Sequence, residues 1–559
     1  MSLRVGESVL AGCVEWPDEF VSRYIAEGHW EARSLGGLLR DWAREHDGRT
    51  ALVDGKQRWT YRELDERADR LAAGFRNLGL GPGDRVVVHL PNTAEFVAVV
   101  FALFRLGALP VFALPAHRHS EISYLCAYAQ ATAYIIPDEH QGTDFRKIAE
   151  RVLAEVPSLR EVVVAGEPGR FTGLDELYIE PCRLPEPDPC DVAFFLLSGG
   201  TTGLPKLIPR THRDYAYNVR LSADNARFTQ DTTYLTVLPA AHNYAFGCPG
   251  VLGVLRAGGK VVLADSGNPD LAFPLIEREQ VTVSALVPPL ALVWTDAAAT
   301  TRYDLSSLEL LQVGGARFEA VAARRMLNRF GCVLQQSFGM AEGLLAQTAP
   351  SDSEDIVTGT QGRPLSPDDE VRLVDSAGRD VAEGETGLLL VRGPYTLRGY
   401  YRADEHNARD FTEDGFFITG DLAGRTPSGH LIIRGRVKDV INRGGEKVSA
   451  DEVEGHLLAH PDVRDVGVVA APDALLGERT CAFVVFRGRQ REGAFGELAG
   501  FMHGRGVADY KIPDRWEALE ELPRTGVGKA DKVQLRARAA RGAARRPTRL
   551  SRGGRGGTR

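Results

Sequence analysis

The stretch TYRELDERADRLAAGFRNLG sets Leu64, Ala68, Leu71, Ala72 and Phe75 on one stripe at helical spacing. Thr60, with Glu63 three residues on, is a capping box, so the spacing predicts an amphipathic helix ending near Gly79. The run FVAVVFALF at 96–104 has no polar face and stops at Arg105. It suits a fully buried helix better than a strand, and it is well short of the ~20 residues of a membrane span. Beyond it, short apolar runs punctuated by Gly and Pro alternate with helical patterns: RVVVHLPN, IIPD, EVVVAG, AFFLLS, KVVLAD, VSALVP and LELLQVGG. These predict layered α/β structure with largely parallel sheets. From about residue 366, DEVRLVDSAGRDVAEGETGLLLVRG reads as strand, turn, strand, a smaller β subdomain. GHLIIRGRVKDVINRGGEKVSADEVEGHL then leads into a last α/β unit ending near 535, with a domain boundary at Gly435 to Asp439.

Composition narrows the function classes. With 43% hydrophobic and 25% charged residues over 559 positions, the chain reads as soluble and globular, with three or four structural units. The last 24 residues, from Arg536, hold nine arginines and no acid, which leaves −17 on the rest against −8 overall. Such a body disfavours nucleic acid, and the tail 536–559 reads as a basic, disordered segment. Seven scattered cysteines without a C-x-x-C pair point to a reduced, cytoplasmic chain. The N-terminus lacks the basic start and apolar core of a secretion signal, and no membrane association is expected.

Asp191 to Ser198 is a buried-strand pattern that runs into GGTTGLPK. Glycines admit a phosphate to the backbone, hydroxyls donate to it and Lys206 neutralises it. This is not a Walker A loop, because Leu204 and Pro205 separate Gly203 from Lys206 and Leu207 follows. His117 and His119, in PAHRHS, lack the nearby cysteines or paired carboxylates of a metal site and read as loop residues.

LLSGGTTGLPKLIPRTH, QQSFGMAEG, FFITGDLA, GRVKDVINRGGEKVSADEVE and PRTGVGKADK occur here in order over about 340 residues. In this the chain resembles the acyl-adenylate-forming (AMP-binding) superfamily and, within it, stand-alone aryl-acid AMP ligases of the salicylate or 2,3-dihydroxybenzoate type. The resemblance implies an N-terminal adenylation core over 1–434, a hinge at 435–440 around Lys438, and a small mobile C-terminal α+β domain over 441–535. It implies ATP and Mg²⁺ as cofactors and an aryl acid as substrate. The acceptor would be a separate aryl carrier protein with a phosphopantetheine arm, with free coenzyme A as the alternative. A non-catalytic nucleotide-binding protein on the same fold is the rival from another class.

The resemblance also assigns residues. Ser198, Gly199, Thr201, Thr202 and Lys206 would cradle phosphates, and Glu342 would hold Mg²⁺. Phe338, Gly339 and Met340 with Gly314, Gly315 and Ala316 would bound the adenine. Asp421, helped by Arg436, would take the ribose hydroxyls, and Lys529 would bridge the acid carboxylate and the α-phosphate. Asn243, Tyr244, Cys248, Ser337 and Leu345 would line the acid pocket, with His242 near the carboxylate and the thiol's approach. Cys248 stands where dihydroxybenzoate enzymes carry Ser, which favours salicylate. Ser337 replaces the family's usual Val, and it either adds polarity for a second ring substituent, as in hydroxyanthranilate-like acids, or merely enlarges the pocket.

Overall fold

The structure, a computed structural model, describes residues 10–543 apart from 199–204, 444–445, 474–475, 489, 506, 508 and 527. The helix expected after Thr60 forms over Tyr61–Asn77 with both halves of the capping box in place, and its apolar stripe is buried. The apolar run becomes the helix Ala94–Leu106, buried at every position but the half-buried Glu95. It does not stop at Arg105, which stays helical and buried because Asp65 and Asp69 on the preceding helix take its guanidinium. A helix without a polar face must be covered all round. The helices Leu35–His46 and Tyr61–Asn77 pack on it, as do Leu109–Phe112 of one sheet and Thr50–Asp54 of another.

Those two sheets form the large unit, which takes in the chain up to Thr419, Ala423–Ile433 and Gly526–Lys529. The first has nine strands, parallel at its centre in the order Val333–Met340, Leu310–Gly314, Val283–Leu286, Thr233–Thr236, Lys260–Leu263 and Thr50–Asp54. The second has seven, parallel except for the edge strand Leu207–Thr211, which returns antiparallel beside Val192–Leu197. The expected β subdomain is a four-stranded sheet that opens with the antiparallel pair Glu370–Val374 and Gly387–Arg392. No helix among the described residues is long and apolar enough to cross a membrane.

The small unit takes 420–422, 434–525 and 530 onward. Its five-stranded sheet is built around the long antiparallel pair Val463–Asp473 and Gly477–Phe486. The expected end of this domain at 535 is corrected, because Lys532–Ala543 is one helix. Leu535 and Ala539, four apart on one face, are buried in a cluster with Val469, Cys481 and Leu522. Arg536 pairs with Asp439 and Arg538 with Glu517, so 536–543 is structured chain rather than a disordered tail. Residues 544–559 lie outside the described part.

One side chain fastens the two large sheets where they matter for the site. Asn92 follows the strand Arg85–Val88 and is 7% exposed. Its Nδ2 donates to the carbonyls of Thr236, Leu238 and Ala264 at 3.2, 2.9 and 3.0 Å, and its Oδ1 accepts from the Ala240 N–H at 2.7 Å. It thereby closes the ends of two strands of the other sheet and holds the approach to His242. Replacing it leaves buried backbone groups unpaired, at about 1–3 kcal/mol per group. Asn92→Ala is therefore expected to lower the urea midpoint at unchanged m-value, by at least about 1 kcal/mol of stability.

Candidate active site

The expected adenine and acid residues meet where parallel strands end, the usual ligand edge of an α/β sheet. Gly314 and Ser337 are register partners at the carboxyl ends of Leu310–Gly314 and Val333–Met340. The chain turns through Ala341 and Glu342 and returns as Gly343–Gln347, which sets Ser337 opposite Gln347 and Gly339 opposite Leu345. Phe338 and Met340 are half-buried and Gly339 is exposed. A Cβ on Gly314 would lie 3.0 Å from Tyr244 Cζ, so the glycine lets that ring lie against the strand end. Gly315, at φ +84°, has the same role toward Lys529, whose Cε would be 3.2 Å from an added Cβ. Lys529 thus stands within the large unit beside the 314–316 segment.

His242 caps the short helix Asn243–Gly247 by accepting the Tyr244 N–H on Nδ1 at 3.3 Å. The pocket residues of that helix are held from behind. Tyr215 donates its hydroxyl to Asn243 Oδ1 at 2.9 Å, which fixes the amide with Nδ2 as its donor face. Asn218 Nδ2 donates to the Gly247 carbonyl at 2.6 Å and to Cys248 Sγ at 3.6 Å. Burial pushes the Cys248 thiol up to about 11, against the lowering effect of Asn218, so it stays protonated and a weak partner. Leu345, 3% exposed, supplies an apolar wall.

The phosphate side is partly described. Gly199, Thr201 and Thr202 lie outside the described residues. Ser198 and Lys206, the ends of that loop, are bonded to each other: Ser198 N–H to the Lys206 carbonyl, and Lys206 N–H to Ser198 Oγ, both at 2.9 Å. The strands on either side of it therefore pair antiparallel, unlike the strand-to-helix arrangement of a Walker A site. Lys206 Nζ lies 4.2 Å from the Tyr400 ring centroid and 3.2 Å from Asp410 Oδ2. Tyr400 donates its hydroxyl to Glu342 Oε1 at 3.0 Å, placing the carboxylate one aromatic ring away from the lysine. A carboxylate so held is a hard oxygen donor of the kind that suits Mg²⁺.

In the small unit, Asp421 is buried and takes Arg436 Nε on Oδ1 at 2.7 Å, so the expected ribose pair is brought together. Lys438 lies in the single turn Val437–Asp439, and burial, then the Arg436 charge, lowers its pKa. His117 Nδ1 accepts the Leu114 N–H, and His119 pairs with Glu155 at 2.9 Å. Among the described residues, the group with metal-ligand spacing is instead Glu27, His29 and Asp368, a surface cluster.

Sequence reasoning missed Tyr215, Asn218, Arg210 and Gln347. The first two, with Ser222, form a buried polar stripe at spacings of three and four on the helix His212–Asn225. Buried polar groups seek partners, so that stripe was a usable signal. Arg210 is 1% exposed, ion-paired with Asp214 at 2.7 Å, and its guanidinium lies 4.8 Å from the Tyr215 ring centroid. It also donates to the Ala341 carbonyl at 3.3 Å, next to Glu342.

A family model described as "AMP-binding enzyme" matches residues 39–401, and one described as "AMP-binding enzyme C-terminal domain" matches 452–529. The chain belongs to the AMP-binding enzyme family. It is 57% identical over 528 residues to the 2,3-dihydroxybenzoate-AMP ligase of Bacillus subtilis (strain 168), covering 94% of this chain and 98% of that protein. It is 47% identical over 538 residues to a salicylyl-CoA synthase / salicylate adenylyltransferase of a Streptomyces species, covering 94% and 97%. The solved apo structure of Mycobacterium smegmatis MbtA is similar at a TM-score of 0.74 and 45% identity, over 95% of this chain and all of that one. The adenylate-forming fold expected from the motifs is thus the fold of this chain.

In this AMP-binding enzyme, burial and then the Lys529 charge push His242 from its ordinary 6.5 down to about 4. The imidazole is neutral at pH 7. The folded state disfavours its protonation, so the stability it contributes is whole above pH 6.5 and is lost as pH falls toward about 4. An NMR titration should place the His242 midpoint near 4 in the full chain and higher in Lys529→Ala. The same midpoint in both would contradict the placement of Lys529.

Proposed function

We propose that this enzyme activates an ortho-substituted aryl acid of the salicylate type with ATP and loads it onto the phosphopantetheine thiol of a separate carrier protein. Such a step serves siderophore or other nonribosomal peptide synthesis. The observation that carries the reading is Asn243, whose Oδ1 accepts from Tyr215, so that its Nδ2, beside the Cys248 thiol, is the donor offered to an ortho oxygen on the acid. An apolar slot with a few fixed polar groups suits a flat aryl acid.

In the first half-reaction a carboxylate oxygen of the acid attacks the α-phosphorus, the bond to pyrophosphate breaks, and an aryl-AMP anhydride forms. Lys529 offsets the charge that builds between carboxylate and phosphate, and neutral His242 beside it adds none. Lys206 turns from Asp410 to the leaving phosphates. Glu342, with Tyr400 donating to one of its oxygens, would hold Mg²⁺, which neutralises phosphate charge when bound. Asp421, with Arg436 pinning one edge, accepts from the ribose hydroxyls. In the second half-reaction a thiol attacks the anhydride carbonyl and AMP leaves. A turn about Lys438 that withdraws Lys529 and brings in 444–449 would separate the two steps.

ATP–pyrophosphate exchange tests the first step: salicylate and its ortho-hydroxy relatives should support it, and benzoate, which leaves the Asn243 amide unpaired, should fall at least about tenfold lower in kcat/KM. Exchange with no ortho-substituted aryl acid sinks the proposal. Lys529→Ala should slow adenylate formation about 10²- to 10³-fold while largely sparing thiolation of supplied aryl-AMP. Equal loss in both half-reactions would remove its assignment to the first. Free coenzyme A presents the same pantetheine thiol, and the salicylyl-CoA synthase among the relatives keeps it as the second reading. Comparing acyl transfer to coenzyme A with transfer to a phosphopantetheinylated aryl carrier protein separates the two.

A further inference from the structure

Lys206, the cation assigned to the phosphates, has an anion of the protein's own as partner. Its Nζ lies 3.2 Å from Asp410 Oδ2 and 4.2 Å from the Tyr400 ring centroid, and the two charged side chains are only 19% and 18% exposed. Asp410 ends the short helix Asp404–Asp410, and its other oxygen, Oδ1, accepts from Arg409 Nε at 2.9 Å. His406 Nδ1 lies 3.7 Å from Oδ2 and accepts from Arg409 Nη2 at 2.7 Å. Burial pushes the Asp410 carboxyl up, but the hydrogen bonds from Arg409 and Lys206 outweigh it, so the group stays below its usual range and is ionised at pH 7. The carboxylate is thus shared, one oxygen holding the lysine and the other an arginine. That sharing makes the pair easy to open. When Lys206 leaves, Asp410 keeps Arg409 as counter-charge, and no half-buried charge is stranded.

We propose that Asp410 is a positioning residue for the phosphate end: it competes with the β- and γ-phosphates for Lys206, sets their affinity, and recaptures the lysine as pyrophosphate departs. The inference rests on the assignment of Lys206 to the leaving phosphates in the reading above and adds what the lysine exchanges them for. An ammonium is a point charge on a flexible stem, able to swing between two anions within its reach. The Tyr400 ring holds it on that arc through a cation–π contact, and the Tyr400 hydroxyl keeps the Glu342 carboxylate alongside. An enzyme that forms pyrophosphate also has to release it, and a site made of cations alone would retain it. A carboxylate beside the lysine offsets that. Phosphates that bind displace Asp410, and pyrophosphate that leaves is replaced by it.

The test is calorimetric binding of two probes, magnesium pyrophosphate and AMP, to the full chain, neither of which needs an aryl acid. Asp410→Asn removes the charge at nearly constant shape, and Asp410→Ser removes it in a second way. Each should tighten pyrophosphate about three- to tenfold and leave AMP, which lacks the competing phosphates, within about twofold. Asp410→Glu should stay near the parent value. In exchange assays, the KM for ATP should fall by the same factor while the KM for the acid holds. In a Lys206→Ala background the Asp410 substitutions should lose their effect, because no lysine is left to compete for. Pyrophosphate affinity unchanged or weakened in both variants, AMP shifting equally, or the full effect persisting without Lys206 overturns the proposal; the last would mean plain repulsion between Asp410 and the ligand. Undiminished pyrophosphate binding in Lys206→Ala alone overturns the assignment of that lysine instead. Failure of every aryl acid in exchange sinks the aryl-acid reading and leaves the binding result standing, so the outcomes are distinct.

Discussion

A helix with no polar face is the constraint on which the large unit depends. Ala94–Leu106 can exist in water only if every side is covered. Two helices and a strand from each of two sheets therefore close on it. Once the sheets are held against one helix, the residues just before it are fixed relative to both. Asn92 stands there, and its amide closes four backbone groups of the other sheet. The segment that delivers His242 and Asn243 is thus positioned by the covering of an apolar surface some way off, and by one buried amide.

Much of this was legible in the sequence because it is local. A capping box and an apolar stripe specify the helix Tyr61–Asn77, and an unbroken apolar run specifies the buried helix after it. The contiguous motifs likewise carry Ser337 to Glu342 and Asn243 to Cys248 as blocks. What was not legible depends on register and on partners remote in the chain. Gln347 meets Ser337 because two strands pair with one particular offset. Tyr215 meets Asn243 because two helices pack. Arg105 looked like the end of an apolar run, but a charge ends nothing when two carboxylates wait for it on the next helix. The arginines after residue 535 read as solvated chain, yet small residues between them give that helix a face to bury.

In the proposed acid pocket, specificity would be built from bonds the protein makes to itself. A carboxamide offers both a donor and an acceptor, and alone it reads either kind of ligand. Tyr215 occupies the acceptor end of Asn243, so on the proposed reading the residue becomes a reader of acceptors. Asn218 engages the Cys248 sulfur and Asn225 orients Gln347, and the same conversion is repeated around the wall. The residues touching a ligand would have been ambiguous without the shell behind them.

Arg210 ties the proposed nucleotide and acid ends together. It lies on the second strand of the hairpin that Ser198 and Lys206 close, donates to the backbone beside Glu342, and packs over the ring of Tyr215. A buried ion pair such as Arg210 with Asp214 adds little net stability, since desolvation offsets most of the attraction. Its value lies in geometry, because the guanidinium's planar donors admit few arrangements. Two anions have to be brought within bonding distance for adenylation, and misplacement of either by an ångström costs rate steeply. One rigid side chain that touches the hairpin, the Glu342 turn and the support of Asn243 would, on the proposed reading, give both substrates the same reference point.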